Sequence, residues 1–301
     1  MSGSPERYDD LGTDLANFLN EMLFAVSEEW IQKFLNSYAA FLRDPDRNRK
    51  TYIELLFIIT LDEIVLISHV PEDDPRLEVA DIKYPGEKGD VLAHFAKPKG
   101  AVKLPGVVVI QEIYGLVPHI KDVTRRVALE GFLAVAPDAL SPFGGTPDNP
   151  DERRSLMQKL DAEENLNNFV AAVNYLKTHP NSTGKVGVTG FCWGGGVTNQ
   201  VAVSSPDVQA AVPFYGRQAA SEDVPKIKAS LLIHYAGEDA RINEGIPAFE
   251  AALKESKIEY KIYMYEGAKH GFFNDTGQQY HEEAAKLAWE RTIAFFKEKL
   301  T

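Results

Sequence analysis

The sequence predicts an α/β domain, a doubly wound and mostly parallel sheet flanked by helices, preceded by a helical N-terminal extension. From Leu77 onward, short β-branched runs alternate with longer amphipathic segments, which is the order of parallel α/β domains. The later runs are almost continuously apolar, as strands are when helices cover both faces of a sheet. Residues 71–75 have the composition of a linker, so we place the extension at 1–75 and the α/β domain at 76–301.

The extension shows two apolar stripes at helical spacing and a third segment that is apolar on most faces. Thr13 or Asp14 can cap the first helix, and Asp44-Pro45-Asp46 ends the second. A third helix is predicted over about 48–68, with a strand at 57–60 as the alternative because that run is β-branched. Packing of these aromatic stripes against a second copy of the chain predicts a homo-oligomer formed through the N-terminal helices.

Strands and helices alternate through the rest of the chain. The strand candidates are 77–84, 91–96, 106–111, 132–137, 185–189, 210–215, 231–235 and 260–265. The helix candidates are 120–129, 151–160, 165–178, 197–204, 247–254 and 282–297.

The composition excludes several classes of function. The chain has 301 residues and a net charge of −12, which argues against a nucleic-acid partner. Its one cysteine excludes an intramolecular disulfide and a thiolate metal cluster. The most apolar run, 52–70, contains Glu54, Asp62 and Glu63, so we expect no membrane span. Residues 1–7 lack the apolar core of a signal peptide, which together with the free thiol predicts a cytoplasmic protein.

The one cysteine lies in a motif that predicts an active site. Gly190-Phe191-Cys192-Trp193-Gly194 follows the strand candidate 185–189 and precedes the helix candidate 197–204. A Gly-x-nucleophile-x-Gly sequence between a strand and a helix is the nucleophile elbow of α/β-hydrolases, here with sulfur in place of the usual hydroxyl oxygen. A free cysteine is otherwise often a buried apolar residue. We predict that Cys192 is a nucleophile whose thiolate is favoured by the dipole of the following helix.

A thiol nucleophile needs a base, and the base needs an acid that orients it. His270 follows the last strand candidate in Glu266-Gly267-Ala268-Lys269-His270-Gly271, where a catalytic histidine of this fold lies. The acid should lie between the nucleophile and the histidine in the chain. Asp239 fits because it closely follows the strand candidate 231–235, and the adjacent Glu238 is the alternative.

The oxyanion of an acyl-transfer intermediate needs N–H donors. Trp193, the residue after the nucleophile, supplies one, and the loop after an earlier strand supplies another. The strand candidate 106–111 leads into Glu112-Ile113-Tyr114-Gly115, so Ile113 is the second candidate donor. Glu112 would then point into the active site, where an ionised carboxylate raises the pKa of a nearby thiol.

These motifs together resemble the dienelactone hydrolase family. The matching stretches occur in family order from about Leu77 to the C-terminus, at 111–115, 151–153, 187–196, 237–239 and 266–270. The resemblance implies an α/β-hydrolase fold and a triad of Cys192, His270 and Asp239. It also implies that Glu112 contacts the cysteine and helps to form the thiolate when substrate arrives. Family members hydrolyse cyclic enol-lactones and other esters through a cysteine thioester, without a metal or an organic cofactor.

The sequence departs from the dienelactone-cleaving members at two arginines that hold the substrate carboxylate. Ser155 stands two residues after the Asp-Glu-Arg run, and Asn274 stands four residues after the predicted catalytic histidine. The departure argues against dienelactone itself as the substrate and removes the expected ion-pair partner of Glu112. Candidate contacts to substrate in this chain are Tyr114, Arg153, Arg154, Arg217 and Arg241.

The sequence therefore predicts a cysteine-dependent hydrolase of a small carboxylic ester or lactone. In this prediction Cys192 attacks, His270 shuttles the proton, and water releases the acyl group from an acyl-thioester intermediate. The alternative is a non-hydrolytic ligand-binding or scaffold member of the fold, which the missing arginines and the extra helices would favour.

Overall fold

A computed structural model describes residues 69–301. The predictions for the extension, namely its helices, the alternative strand at 57–60 and the oligomer contact, lie outside the described residues. Val70–Thr301 forms one compact unit. The predicted linker 71–75 lies within this unit: Asp74 is buried, and the Val70 N–H donates to the Asp122 carboxylate at 2.6 Å. Among residues 69–301, no helix combines the length and the apolar character that crossing a membrane requires.

One mixed sheet forms the centre of the domain. Its strands are β1 (Leu77–Pro85), β2 (Asp90–Pro98), β3 (Leu104–Ile110), β4 (Leu133–Pro137), β5 (Ser182–Phe191), β6 (Val208–Phe214), β7 (Ser230–Glu238) and β8 (Tyr260–Lys269). Their order across the sheet is β1-β2-β4-β3-β5-β6-β7-β8. The β1–β2 and β2–β4 pairs are antiparallel, and all other neighbours are parallel. The mostly parallel sheet confirms the predicted fold class.

Helices precede or follow most strands of this sheet. They are α1 (Pro118–Leu129), α2 (Pro150–Met157), α3 (Ala162–Thr178), α4 (Trp193–Ser204), α5 (Ala240–Asn243), α6 (Ile246–Glu255) and α7 (Glu282–Leu300). The short α5 was not predicted. The start of α4 differs from the prediction by four residues, because glycine disfavours helix interiors and 194–196 therefore indicated a loop.

Both faces of the sheet are covered by helices. A Cβ atom on Gly106 of β3 would lie 2.9 Å from Leu176 of α3. A Cβ atom on Gly187 of β5 would lie 2.7 Å from Phe296 of α7. Gly106 pairs with Val186, the neighbour of Gly187, and side chains alternate along a strand. The two glycines therefore face opposite sides, and α3 and α7 pack on opposite faces.

The parallel strands bring their carboxyl ends to one edge of the sheet. Strands β3, β5, β7 and β8 all belong to the parallel part. The segments that follow them carry Glu112, Cys192, Asp239 and His270, respectively. The four predicted site residues are therefore gathered at this edge from parts of the chain far apart in sequence.

Candidate active site

Cys192 occupies a strained turn between β5 and α4. Its backbone has φ 57° and ψ −116°, a conformation that is uncommon outside glycine and costs about 1–3 kcal/mol. The Cys192 N–H donates to the Phe214 carbonyl at 3.1 Å, and the N–H groups of Gly195 and Gly196 donate to the Cys192 carbonyl. The side chain is left half-buried. This is the geometry of the predicted nucleophile elbow.

Two glycines make this turn possible. A Cβ atom on Gly194 would lie 2.6 Å from the carbonyl oxygen of Ile110 on β3. A Cβ atom on Gly190 would lie 2.6 Å from the hydroxyl oxygen of Thr198 in α4. Real Cβ atoms do not approach neighbours so closely. The close packing of the elbow against β3 therefore outweighs the low helix propensity of glycine, and α4 begins at Trp193.

His270 and Asp239 form a histidine–acid pair at the same edge. His270 Nδ1 lies 2.5 Å from Asp239 Oδ2, and Asp239 is only 7% exposed. This bond fits a ring that carries its proton on Nδ1 and a lone pair on Nε2. The Nε2 atom is buried and has no hydrogen-bond partner among residues 69–301. Glu238, the alternative acid, is exposed, so the structure brings Asp239 rather than Glu238 to the histidine.

The environment of Cys192 favours the neutral thiol near pH 7. Burial and the charge of Glu112 raise the pKa of Cys192 to about 11, and the charge of Asp239 acts in the same direction. The Trp193 N–H and the charge of Arg241 lower the pKa. The predicted stabilisation of the thiolate by the helix is therefore outweighed. Attack by sulfur requires a proton acceptor inside the site.

Glu112 is a buried carboxyl group with a neutral partner. It is 4% exposed, and its Oε2 accepts a hydrogen bond from the side-chain amide of Asn274 at 2.6 Å. Burial raises the pKa of Glu112, although the charge of His119, the Asn274 bond and the charge of His270 each lower it. Asn274 thus stands where the family arginine was expected and supplies a hydrogen bond without a charge.

The candidate oxyanion donors lie in turns that leave their N–H groups without backbone acceptors. Trp193 is the first residue of α4, a position where the N–H has no intrahelical partner, and this N–H hydrogen-bonds the Cys192 thiol. Ile113 lies in the turn after β3, and within the described chain its N–H has no acceptor. The side chains of Ile113 and Tyr114 are 38% and 45% exposed, which leaves apolar surface beside the site.

The candidate arginines differ in what their side chains do. Arg241 is exposed, and its charge acts on the Cys192 thiol. Arg217 is also exposed, and its backbone lies beside the first turn of α4. The Arg153 guanidinium instead donates to two carbonyls of the preceding loop at 2.6 Å, and Arg154 and Ser155 are exposed on α2. The charge of Arg241 therefore acts at Cys192, and the Arg217 backbone lies beside the elbow.

Three side chains around this site, those of Tyr215, His119 and Asp275, were not predicted from the sequence to have a role. Tyr215 follows β6 with φ 37° and is buried, and its ring meets the His270 ring edge-on at a centroid distance of 5.0 Å. Its position directly after a parallel strand was the signal that could have identified it. His119 is buried, with Nδ1 3.1 Å from the Asp275 carboxylate. No motif marks this second pair in the sequence.

One cluster near this region has the composition of a metal site. Candidate ligand atoms of His69, Asp122 and Asp275 lie within 4.8 Å of one another. An Nη2 atom of Arg126 lies 2.5 Å from a carboxylate oxygen of each aspartate. The guanidinium already supplies positive charge to both carboxylates, so we propose no metal there.

Comparison with known proteins agrees with the resemblance. A "Putative carboxymethylenebutenolidase" of Salmonella typhi is 32% identical over 244 residues, covering 76% of this chain and 89% of that protein. A protein of the same name from Synechocystis is 33% identical over 237 residues, covering 73% of this chain and 96% of that protein. The crystal structure of a "Putative Dienelactone Hydrolase" from Klebsiella pneumoniae has a TM-score of 0.68 at 30% identity, covering 74% of this chain and 99% of that one.

The sequence profile of the dienelactone hydrolase family matches residues 91–300. This range includes all but the first residue of β2, strands β3 to β8, the elbow, and Glu112, Asp239 and His270. The chain therefore belongs to the dienelactone hydrolase family and is a hydrolase acting on ester bonds.

Proposed function

We propose that the protein is a cysteine-dependent hydrolase of small carboxylic esters or lactones that acts through an acyl thioester on Cys192. One observation carries the proposal: the elbow that holds Cys192 and the His270–Asp239 pair meet at one edge of the sheet. The buried Nε2 of His270 lacks a partner within the described residues, as expected of a base that awaits substrate and thiol.

The first step in this scheme is formation of the thiolate. Because the pKa of Cys192 is about 11, the sulfur must pass on its proton within the site before it attacks at neutral pH. Burial raises the pKa of Glu112, so its carboxylate is a stronger base than an ordinary glutamate. Glu112 accepts the Sγ proton and passes it to Nε2 of His270. Glu112 returns to the carboxylate, and Asp239 holds the resulting imidazolium.

The thiolate then attacks the carbonyl carbon, and the N–H groups of Ile113 and Trp193 stabilise the oxyanion. Nε2 of His270 returns its proton to the leaving alkoxide, which departs as an alcohol or, for a lactone, stays attached to the acyl group. In the second half, Nε2 accepts a proton from water while the hydroxide attacks the thioester carbonyl. The C–S bond breaks, the acid is released, and the Cys192 thiolate recovers its proton from His270.

The side chains around this edge favour a small substrate that carries a negative charge. Arg241 and Arg217 are exposed cations, and the half-exposed ring of Tyr114 offers apolar contact. A carboxylate next to the ester carbonyl would pair with one of these guanidinium groups. Relatives carry the name carboxymethylenebutenolidase. We do not assign dienelactone itself to this chain, because Ser155 and Asn274 replace the arginines that hold its carboxylate.

The scheme uses only side chains, backbone N–H groups and water, so it calls for no cofactor. A free thiol nucleophile works best in a reducing compartment, and we therefore propose a cytoplasmic protein. Oligomerisation through the extension stays a prediction.

Hydrolysis of p-nitrophenyl acetate by the wild type and by Cys192→Ala tests the proposal. The wild type should release p-nitrophenol in a burst followed by turnover, and Cys192→Ala should lose at least about a thousandfold in kcat/KM with its fold intact. Cys192→Ser is the matched control, since it keeps the shape of the elbow but exchanges the sulfur. Equal turnover by wild type and Cys192→Ala contradicts the thioester route. A folded wild type that hydrolyses none of a panel of p-nitrophenyl esters favours the ligand-binding or scaffold alternative.

A further inference from the structure

The ionised form of Glu112 requires a positive charge nearby. Its carboxyl group is buried, and Asn274 gives it a hydrogen bond but no charge. Removing an ionised carboxylate from water is costly unless a cation lies close by. The scheme above needs Glu112 in its ionised form, because only the carboxylate can accept the thiol proton.

The loop after β8 bonds both Glu112 and a second histidine, His119. Two consecutive residues of that loop bind two different partners: Asn274 bonds Glu112 at 2.6 Å, and Asp275 bonds His119 at 3.1 Å. Consecutive Cα atoms are about 3.8 Å apart, so one short stretch of this loop bonds both residues, and the charge of His119 acts on the Glu112 carboxyl group. Of the influences that favour the ionised form of Glu112, the charge of His119 is the largest.

His119 has the construction of an oriented histidine. It is 3% exposed, its Nδ1 contacts the Asp275 carboxylate, and its buried Nε2 has no hydrogen-bond partner within 69–301. Asp275 is itself held by Arg126 at 2.5 Å. Burial disfavours the ionised form of Asp275, but the His119 bond and the Arg126 charge outweigh it, and the pKa of Asp275 lies well below its ordinary value. A carboxylate that stays ionised accepts a hydrogen bond from Nδ1 of His119 and so fixes the orientation of the ring.

We infer that His119, oriented by Asp275, is a positioning residue that holds Glu112 as a carboxylate beside the Cys192 thiol. The catalytic consequence rests on the proposed function, whereas the coupling between His119 and Glu112 exists whether or not a thioester forms. Other ionisable groups surround Glu112 and the Asp275 carboxylate that bonds His119. They are Cys192, Tyr215 and His270 around Glu112, and Arg126, Asp122, His69 and Tyr280 around Asp275.

The rate at which iodoacetamide alkylates Cys192 depends on the charge of Glu112, and measuring it requires no ester hydrolysis. Cys192 is the only cysteine of the chain, so incorporation of the label reports one thiol. The rate follows the thiolate fraction and rises with pH. Once Glu112 ionises, its charge makes the thiolate harder to form. The plot of alkylation rate against pH therefore has a break at the pKa of Glu112, where the rise changes to a plateau. Burial raises this pKa, and the break should lie above the ordinary glutamate value of about 4.3.

His119→Gln tests the coupling because it keeps a donor for Asp275 and removes the titratable charge. Loss of a cation disfavours the ionised form of Glu112, so the break moves to higher pH. We expect a shift of about half a pH unit or more, and a plateau rate raised about threefold or more. His119→Asn serves as a second variant if the first is unstable. His281→Asn is the matched control: it changes a histidine that caps α7 to another capping residue and leaves the break in place.

A Glu112→Gln background isolates the pair. Its profile should lack the break, and adding His119→Gln there should leave the profile unchanged. The inference is overturned if the break in both His119 variants stays within about 0.2 pH units of the wild type. It is also overturned if His119→Gln changes the alkylation profile of the Glu112→Gln variant as strongly as it changes that of the wild type. Failure of the proposed function gives a different result, because ester hydrolysis retained in Cys192→Ala leaves the alkylation profiles intact.

Discussion

Replacing Asp239 with asparagine isolates the contribution of the acid that orients His270. The carboxylate is buried and lies 2.5 Å from Nδ1, so the wild-type contact is a charge-assisted hydrogen bond. Such a bond is worth about 1.5–3 kcal/mol. If the imidazolium of His270 loses this bond, kcat/KM should fall about 10- to 150-fold. The amide of asparagine can also donate to Nδ1, which would place the ring proton on Nε2 and lower the rate further.

The assay is hydrolysis of p-nitrophenyl acetate across a pH series, with circular dichroism to confirm folding. Glu238→Gln is the matched control, because it removes the adjacent acid, which is exposed and does not bond His270. We expect the control to retain activity within about twofold. Asp239→Asn activity within threefold of the wild type, or an equal loss in both variants, would refute the assignment of Asp239 as the orienting acid.

Three further predictions follow from buried groups. Gly194→Ala should lower the free energy of unfolding in urea by about 1–3 kcal/mol, because its Cβ atom would meet a carbonyl of β3. The control Gly89→Ala adds a Cβ atom in open space and should change the free energy of unfolding by no more than about 0.5 kcal/mol. Burial lowers the pKa of His234 to about 3. The unfolded chain therefore gains a proton first, and His234 should remove up to about 5 kcal/mol of stability as pH falls from 6.5 to 3, a slope that His234→Gln abolishes. Above the plateau that follows ionisation of Glu112, alkylation of Cys192 should accelerate again up to about pH 11, and a final plateau below pH 9 would contradict the raised thiol pKa.

The order of strands and helices was predictable because the period of apolar residues differs between them. Strands such as β3 and β6 are buried on both faces and appear in the sequence as continuous apolar runs. The start of α4 was not predictable from propensity. Gly194 lies in a helix only because a bare backbone is needed against β3, and that contact is formed by residues more than 80 positions away.

The elbow could be predicted because its glycines, nucleophile and flanking elements are adjacent in sequence. The sequence favours Asp239 but leaves Glu238 as an alternative, since both residues follow the strand candidate 231–235. The structure distinguishes them because only Asp239 turns inward to His270. The pair of His119 and Asp275 has no local signature, because its members are 156 positions apart and meet only in the folded chain, where the loop after β8 contacts α1.

The direction of the thiol pKa shift was predicted only in part. The sequence pointed both to a helix dipole that favours the thiolate and to a carboxylate that opposes it. Burial of the thiol decides whether the helix dipole or the carboxylate dominates. The sequence does not show how deeply a residue in a half-exposed turn is buried. In the folded protein, burial and Glu112 together determine the sign.

The acyl thioester on Cys192 is tested most directly by measuring the mass of the enzyme during turnover. Wild-type protein is mixed with p-nitrophenyl acetate, quenched in acid within the burst, and examined by intact mass and peptide mapping. The thioester mechanism predicts one added acetyl group, located on Cys192 and lost again as turnover ends, and no such group on His270→Ala at the same time point. Acetyl groups found on other residues, or turnover by Cys192→Ala at the wild-type rate, would contradict it.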